Sequence, residues 1–300
     1  MEAYLPLELI QYIFDFLDCK SQIIFRSLNS LYYETMIIYN LYSLPQKYIK
    51  KLNNDHLKQF KYLKYLDLQV NNHVTDLNYL TNLRKLRASH IFNALDDSSI
   101  KQCTNLTSLD ITSNLNISDL NHLKKLSTLN ASLADQLRNE GIQGCYNLIE
   151  LYVGCNRFIT NISHLTKLEL LCCSYDSGID DYMISLLPNL KTLICPYNGK
   201  IKDLNNSQNL EKLEAYGCNL TNDSIKKCVK LISLNIGQNN KITNINHLKN
   251  LKILYCERSS LGNDGIQNCS NITDLYSCEN KNIVHVNDFP NLKMWVNKYY

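Results

Sequence analysis

The chain has 300 residues, 45% of them hydrophobic and 20% charged, which is typical of a protein that folds around an apolar core. Its formal net charge is +3, and positive and negative residues are interspersed. The chain therefore lacks the strong positive surface field that is typical of nucleic-acid-binding proteins. No apolar stretch reaches the length that spans a bilayer, and Glu2, Glu8 and Asp15 make the N-terminal segment a poor secretory signal. Neither a nucleic acid nor a membrane is therefore expected as a partner.

The first forty residues are rich in apolar side chains and predict three short helices. In the first, apolar residues recur at 9, 10, 13, 14, 16 and 17, which gives a helix a wide apolar stripe. The apolar residues of the second segment are Ile23, Ile24, Phe25, Leu28 and Leu31, and those of the third are Met36, Ile37 and Ile38. So many apolar residues in a short segment either pack on the rest of the chain or meet a partner.

The opening of this segment resembles an F-box, whose pattern is Leu-Pro-x-Glu-Leu, then Ile, then Leu, with an aromatic residue about fifteen positions later. The residues that carry the resemblance are Leu5, Pro6, Glu8, Leu9, Ile13, Leu17 and Tyr32. In that family they shape or touch the Skp adaptor of cullin–RING ubiquitin ligases, so the resemblance implies a Skp-type adaptor and a cullin ligase core as partners. The alternative is that residues 1–40 only cover the exposed first edge of the repeat array that forms the rest of the chain.

A repeat begins near residue 63 and runs to the end of the chain. Its pattern is Leu-x-x-Leu-x-(small or apolar), and a unit of 20 residues alternates with one of 21 to 23. The units begin at Leu63, Leu83, Leu106, Leu126, Leu148, Leu168, Leu190, Leu210, Leu231, Leu251, Ile272 and Leu292. A fixed period in this range indicates a solenoid, in which each unit buries its apolar edge against its neighbours.

Within each unit, side-chain alternation in an extended strand places positions four and six on one side and positions three, five and seven on the other. The ninth residue of the short units is Asn71, Asn114, Asn156, Asn198, Asn239 and Asn280. An Asn there can bond backbone groups of neighbouring units where the chain leaves the strand. We therefore expect the strands to pair into a parallel sheet on the inner side of the solenoid.

The pattern of Leu63, Leu66, Leu68 and Asn71 resembles the leucine-rich-repeat family. This resemblance implies an α/β fold, a leucine-rich-repeat solenoid with a concave parallel β-sheet, preceded by a small three-helix F-box-like cap. Residues 1–40 are predicted to form the F-box-like helical domain. Residues 41–300 are predicted to form about twelve repeats plus a degenerate first one that starts at Leu41.

The return legs of the two unit types differ in their apolar spacing. In the short units, apolar residues at three-residue steps predict a tight, 3₁₀-like turn. The long units predict a short helix, because an Asp or Asn lies three residues before an Ile and is a suitable N-cap. These predicted caps are Asp97, Asn139, Asp181, Asn222 and Asn263.

The cysteines and histidines follow the repeat and do not gather into a site. Cys103, Cys145, Cys228 and Cys269 share a slot in the long units that Leu187 fills once, so this slot is apolar and the thiols are predicted to pack there. No Cys-x-x-Cys occurs, and unpaired thiols favour a reducing, intracellular compartment, the cytoplasm or the nucleus. His122, His164 and His247 are spread along the array, so neither a metal nor another cofactor is expected.

The later units place aromatic, apolar and acidic side chains at the concave positions. The predicted substrate-binding residues are Tyr152, Ile194, Glu214, Tyr216, Tyr255, Glu257 and Tyr276. Aromatic residues on an exposed strand face commonly anchor protein interfaces. The alternative is that Tyr is frequent here only because it favours strands, and the chain has 20 of them.

No nucleophile, base and orienting group stand together in the pattern, so the chain is not expected to be an enzyme. The F-box and repeat resemblances together imply the substrate-recognition adaptor of a Skp–cullin–F-box type ubiquitin ligase, with an unknown protein as its substrate. The main alternative is a non-catalytic leucine-rich-repeat scaffold or regulator without ligase recruitment. A secreted, adhesin-like binder is a more distant alternative.

Overall fold

A computed structural model describes residues 6–287 and 289–297. Within them, thirteen strands form one parallel sheet in strict chain order, β1 to β13. Their bounds are Asn40–Leu41, Tyr65–Asp67, Lys85–Arg87, Ser108–Asp110, Thr128–Asn130, Glu150–Tyr152, Leu170–Cys172, Thr192–Ile194, Lys212–Glu214, Ser233–Asn235, Ile253–Tyr255, Asp274–Tyr276 and Met294–Val296. Equivalent residues face each other from strand to strand, as Leu129 faces Leu151, so the predicted solenoid and its concave sheet are confirmed.

In β3 to β12 the central residue of each three-residue strand is a buried leucine, and the residues on either side of it are at least partly exposed. In β6, for example, Leu151 is fully buried, whereas Glu150 and Tyr152 on either side are partly exposed on the concave face. Burial of that leucine removes its whole side chain from water and contributes about 1.5–3 kcal/mol per unit. The stacked leucines join one apolar core that continues from Phe14 in the N-terminal helices to Phe289 near the other end.

The ninth-position asparagines form a buried ladder, as the sequence predicts. The Asn156 side-chain amide donates to the carbonyls of Ala134 at 2.8 Å and Leu137 at 3.2 Å in the preceding unit. Its oxygen accepts the backbone N–H groups of Phe158 and Ile159, both at 3.0 Å. Asn71, Asn114, Asn198, Asn239 and Asn280 also donate to carbonyls of the preceding unit. The ladder satisfies buried backbone groups that have no partner within the sheet.

The convex legs are tighter than the sequence predicts. Among the long units only one forms an α-helix, α6, at Asp181–Ser185. The other four form 3₁₀ turns at Ser98–Ile100, Asn139–Ile142, Asp223–Ile225 and Asn263–Gly265. The predicted short helix is therefore wrong for those four units. A leg of three or four residues accommodates i→i+3 bonds more readily than a complete α-helical turn. The predicted start of the degenerate first unit at Leu41 is wrong, because Leu41 pairs with Leu66, the fourth residue of the next unit, which places the start three residues earlier at Ile38. This unit contains α4 at Gln46–Ile49 and α5 at Asn54–Lys58.

Asp97 and Asn222 stand at the N-cap positions of their 3₁₀ turns, as predicted, but without a side-chain capping bond, whereas Asn139, Asp181 and Asn263 each lie one residue after the N-cap. The side chains of all five bond the next unit. Helix α6 is capped by Asp180, whose side chain accepts the N–H of Met183 at 2.9 Å. Asp181 instead accepts the backbone N–H groups of Lys202 and Asp203, about one repeat further along. Asp97, Asn139 and Asn222 accept two N–H groups of the next unit in the same way, and Asn263 accepts one.

Three short helices precede the sheet: α1 at Leu7–Asp15, α2 at Cys19–Arg26 and α3 at Ser30–Thr35. Side-chain caps from Asp18 and Asn29 set where α2 and α3 begin. The prediction that Met36, Ile37 and Ile38 lie in the third helix is wrong, because α3 ends before them. None of the helices among the described residues has the length and apolar content needed to cross a membrane.

Candidate interaction surfaces

Helix α1 has two apolar faces, of which one is buried and one is exposed. Phe14 is fully buried and contacts Phe25 edge to face at 5.7 Å between ring centroids. On the opposite side, Leu9 and Ile13 are 42% and 47% exposed, and Phe16 just beyond the helix is 74% exposed. The inner face thus joins the N-terminal helices to the solenoid core, and the outer face leaves apolar area open to a partner.

The residues that carry the F-box resemblance divide between these two faces. Glu8, Leu9 and Ile13 are exposed, as is Pro6, which directly precedes α1. Leu17 and Tyr32 pack against the core, and Tyr32 stacks on Phe25 at 4.8 Å. Leu5 lies outside the described residues. Adaptor contact by all seven residues stays a prediction.

A cleft between α2 and the first unit was not predicted from the sequence. Its volume is about 490 Å³. The apolar lining comes from exposed Ile23 and Ile24 of α2 and from Tyr48 and Leu52 of the first unit, and Lys20 is among the polar lining residues. Sequence periodicity shows only that α2 is apolar. The cleft depends on how α2 is placed against α4 and α5, which the periodicity does not contain.

The predicted substrate-binding residues all lie partly exposed on the concave side. Tyr152, Ile194, Glu214, Tyr255 and Tyr276 occupy the fifth position of their units and form a row across β6 to β12. Tyr152 stands at one end of this row, and its hydroxyl donates to Glu150 within the same strand at 3.4 Å. The structure therefore places these residues on one surface without bringing all of them into contact.

Tyr255 and Tyr276 are in direct contact. Their rings stack with centroids 4.3 Å apart and planes 8° apart. The pKa of Tyr255 is raised mainly by burial, and further by Tyr276 and by the carboxylates of Glu214 and Glu257. Burial and the like charge of Glu214 also raise the pKa of Glu257. Two carboxylates thus lie near a flat aromatic surface that is partly open to solvent.

The first four units of the concave face differ, because their charges neutralise each other. The Arg87 guanidinium lies 2.8 Å from one carboxylate oxygen of Asp67 and 3.4 Å from one of Asp110. These contacts join three successive strands, and the Asp67 side chain is only 8% exposed. The Arg87 guanidinium is therefore paired with two carboxylates of the same chain, and little unpaired charge is left for a ligand on the first four units.

Beside the concave face, two tyrosines that the sequence analysis did not predict, Tyr175 and Tyr197, join the predicted Tyr216 in an aromatic row. Tyr175 stacks on Tyr197 at 5.5 Å, and Tyr197 meets Tyr216 edge to face at 5.5 Å. Tyr175 and Tyr197 are 53% and 46% exposed. Both are eighth in their units, a position where φ lies between 51° and 104° in every unit from Leu63 to Ile272. Only Gly217 has glycine there, so the sequence carries little sign of this left-handed backbone.

Two glycines leave space for this tyrosine row. A β-carbon at Gly237 would lie 2.4 Å from the Tyr216 ring, and one at Gly217 would lie 2.7 Å from the Tyr197 ring. The rings therefore lie directly over the backbone of the following unit. Such support holds an aromatic side chain in one orientation, which lowers the entropy lost when a partner binds.

Three histidines and four cysteines at repeated positions contact backbone carbonyls of the preceding unit. Nε2 of His122, His164 and His247 lies 3.1 Å from the carbonyl oxygens of Ile100, Ile142 and Ile225, respectively. Cys103, Cys145, Cys228 and Cys269 are fully buried, and their thiols donate to carbonyls of the preceding unit, so their predicted packing is confirmed. In the part of the chain that the structure describes, no group of three or more His, Cys, Asp or Glu could hold a metal.

Residues 4–36 match the F-box domain family. No curated protein sequence matches the chain. Among solved structures, the internalin InlF from Listeria monocytogenes str. 4b F2365 is 26% identical with a TM-score of 0.63, over 81% of this chain and 76% of that one. A leucine-rich-repeat protein from Leptospira interrogans is 18% identical with a TM-score of 0.57, over 86% and 82%. The functional domain of InlJ from Listeria monocytogenes, which includes a cysteine ladder, is 18% identical with a TM-score of 0.51, over 75% and 57%.

Proposed function

We propose that this chain, an F-box domain followed by a leucine-rich-repeat solenoid, is the substrate-recognition adaptor of a Skp–cullin–F-box type ubiquitin ligase. F-box domains bind Skp-type adaptors, and both modules serve in binding and not in catalysis. The observation that carries the proposal is the exposed outer face of α1, formed by Leu9, Ile13 and Phe16, within the matched F-box segment. A segment that only capped the solenoid would not need this apolar face.

The proposed mechanism is proximity. The F-box helices and the solenoid share one apolar core, so a target on the concave face is held at a defined place relative to the adaptor. Holding the target near a ubiquitin-charged enzyme raises its effective concentration without chemistry by this chain. Twelve free cysteines, ten of them buried, support a reducing compartment, and we place the protein in the cytoplasm or nucleus.

The experiment that tests this proposal measures retention of a purified Skp-type adaptor by the full chain. The double variant with Leu9→Asp and Ile13→Asp places two charges on the exposed face, and we expect it to lose retention because buried, unpaired charges oppose association. Its thermal stability should stay close to that of the unmodified chain, since both side chains are exposed. A matched control is Tyr62→Asp, which places a charge on an exposed side chain just before the Leu63 unit.

Two results would contradict the proposal. If the unmodified chain does not retain the adaptor, the alternative of a scaffold without ligase recruitment is favoured. If the double variant retains the adaptor but loses thermal stability, the segment acts as a cap and α1 is not the adaptor face.

A further inference from the structure

The concave face of the later units carries an excess of negative charge. At positions three, five and seven of the seven units that begin with Leu148 through Ile272, the acidic residues are Glu150, Glu214, Glu257 and Asp274. The basic residue at these positions is Lys212, whose ammonium lies 3.3 Å from the Glu214 carboxylate. Four acids and one base give this face a formal charge of −3, although the whole chain is at +3. The face is therefore complementary to a cation.

This charge lies next to aromatic surface. The stacked pair of Tyr255 and Tyr276 presents a flat, partly exposed face, and Glu214 and Glu257 are near enough to raise the pKa of Tyr255. An aromatic ring beside carboxylates suits a lysine or arginine side chain, whose cation can contact the ring face while it pairs with the acids. The like charges of Glu214 and Glu257 repel each other, so a bound cation would relieve this repulsion.

The tyrosine row adds an apolar part to the same surface. Tyr197 belongs to the unit of β8, and Tyr255 lies in β11, three strands further along the sheet. Three strand spacings amount to about 14 Å, a distance that about four residues of extended chain cover. A partner segment that reaches both features is therefore short and extended, with an apolar side chain and a cationic one about four residues apart.

We propose that the target of this solenoid is recognised through such a segment, with an aromatic or apolar side chain on Tyr197 and Tyr216 and a lysine or arginine against Tyr255 and Tyr276. This inference rests on the proposed function, because it states the chemistry of the target that the concave face selects. A phosphate backbone is not a suitable occupant, because the excess acidic charge would repel it.

The test uses the full chain and three fluorescent peptides with the same Gly-Ser background and one Trp. The fourth residue after the Trp is Arg in the first peptide, citrulline in the second and Glu in the third. Arg and citrulline have nearly the same shape, so the first two peptides differ mainly in charge. We expect the Arg peptide to bind about tenfold more tightly than the citrulline peptide, with an advantage that shrinks as salt rises. The Glu peptide should bind most weakly.

Variants of the chain locate the site of this selectivity. Glu257→Gln and Glu214→Gln should each reduce the advantage of Arg over citrulline severalfold and leave citrulline binding unchanged. Glu211→Gln is the matched control, because Glu211 is an exposed carboxylate in the same unit as Glu214 but at the second position. The control should keep the full advantage of Arg, and thermal unfolding should show that all three variants are folded.

The inference is overturned if Arg and citrulline peptides bind equally, if the Glu peptide binds most tightly, or if no peptide binds at the highest soluble concentration. It is also overturned if the control lowers the advantage as much as the two test variants. Because this assay contains no adaptor, its outcome is independent of the retention experiment. Arg selectivity without adaptor retention would leave this inference standing and reject the ligase role alone.

Discussion

The Asp97 carboxylate accepts the backbone N–H of Ser118 at 2.7 Å, across the boundary between two units. A second bond from the N–H of Asp119, at 3.0 Å, uses the same oxygen. Since Asn139 and Asn222 make equivalent bonds, the position requires an acceptor oxygen and not a charge. The side chains that were predicted to start a helix therefore fasten each convex leg to the unit that follows.

This relationship predicts different effects for two substitutions of one residue. Asp97→Asn keeps the acceptor and should change the free energy of unfolding by less than about 0.5 kcal/mol. Asp97→Ala removes it and should lower that free energy by about 1–2 kcal/mol, because two N–H groups lose their partner. Urea unfolding of both variants checks the prediction. Equal losses would show that the charge of Asp97 matters and not its acceptor oxygen.

The buried asparagine ladder should be more important for stability than the exposed asparagines that make similar bonds. Asn156 is fully buried, whereas Asn189 is exposed and donates to the carbonyl of Thr166 at 2.7 Å. Asn156→Ala leaves buried backbone groups without partners and should lower the free energy of unfolding by about 2–4 kcal/mol. Asn189→Ala should lower it by less than about 1 kcal/mol, because water replaces the lost donor. Urea unfolding of the pair measures the difference, and similar losses would contradict the role of burial.

The buried thiols predict a loss of stability at alkaline pH. Burial raises the pKa of Cys145 from its ordinary value of 9.0 to about 12. Above about pH 9 the unfolded chain therefore binds fewer protons than the folded one, and the free energy of unfolding falls by about 1.4 kcal/mol per pH unit for each such thiol. The same direction holds for Cys103 and Cys228.

Urea unfolding at about pH 8 and about pH 10 measures this effect, because the interval contains the titration of an unfolded thiol. Cys145→Ala should reduce the difference in free energy between the two pH values by about 1.4 kcal/mol. Leu187→Ala changes the same slot of another unit, where no thiol is present. This control should be destabilised at both pH values and keep the full difference. An unchanged difference in Cys145→Ala would show that its thiol does not contribute.

Two neighbouring phenylalanines should separate stability from adaptor binding. Phe14 is fully buried and Phe16 is 74% exposed, although they are only two residues apart. Phe14→Ala should lower the free energy of unfolding by about 3–5 kcal/mol, as expected for an aromatic ring removed from a core. Phe16→Ala should leave unfolding unchanged and weaken retention of the Skp-type adaptor. Calorimetry and the retention assay measure the two effects, and normal retention by Phe16→Ala would remove Phe16 from the proposed adaptor surface.

The tyrosine row can be disturbed without changing a tyrosine. A β-carbon at Gly237 would lie 2.4 Å from the Tyr216 ring, so Gly237→Ala should turn this ring away from its position. We expect the variant to lose about 1 kcal/mol of stability and to bind the Trp-containing peptides several-fold more weakly. Gly199→Ala is the control, because nothing lies within 4 Å of a β-carbon built there. Full peptide binding by Gly237→Ala would show that Tyr216 does not contact the peptide.

The sequence was least informative where one residue pattern is compatible with two different contacts of the same side chains. Leu9 and Ile13 belong to the same apolar stripe as Phe14, and the stripe by itself does not distinguish the buried face of α1 from the exposed one. Asp181 has the spacing of an N-cap, but Asp180 caps the helix and Asp181 bonds the next unit. In both cases the choice depends on another element, which is the following helix for α1 and the next repeat unit for Asp181.

The aromatic row of Tyr175, Tyr197 and Tyr216 shows the same limit at the candidate site. The fifth-position residues could be assigned to the concave face because strand side chains alternate. The eighth position follows the strand, where a left-handed backbone directs the chain, and alternation no longer applies. The contact of Tyr197 with Tyr216 therefore became evident only from the positions of the units in space.

The sequence by itself determined the solenoid, its parallel sheet, its buried leucines and its asparagine ladder. It could do so because a unit of about 20 residues can bury its apolar edge only against neighbouring units with the same apolar pattern, so the period specifies the packing. Only the tertiary structure decided which face of α1 is exposed, which unit Asp97 bonds and where the tyrosine row lies. These features arise from contacts between elements that local spacing does not encode, since each of these side chains is compatible with more than one neighbour.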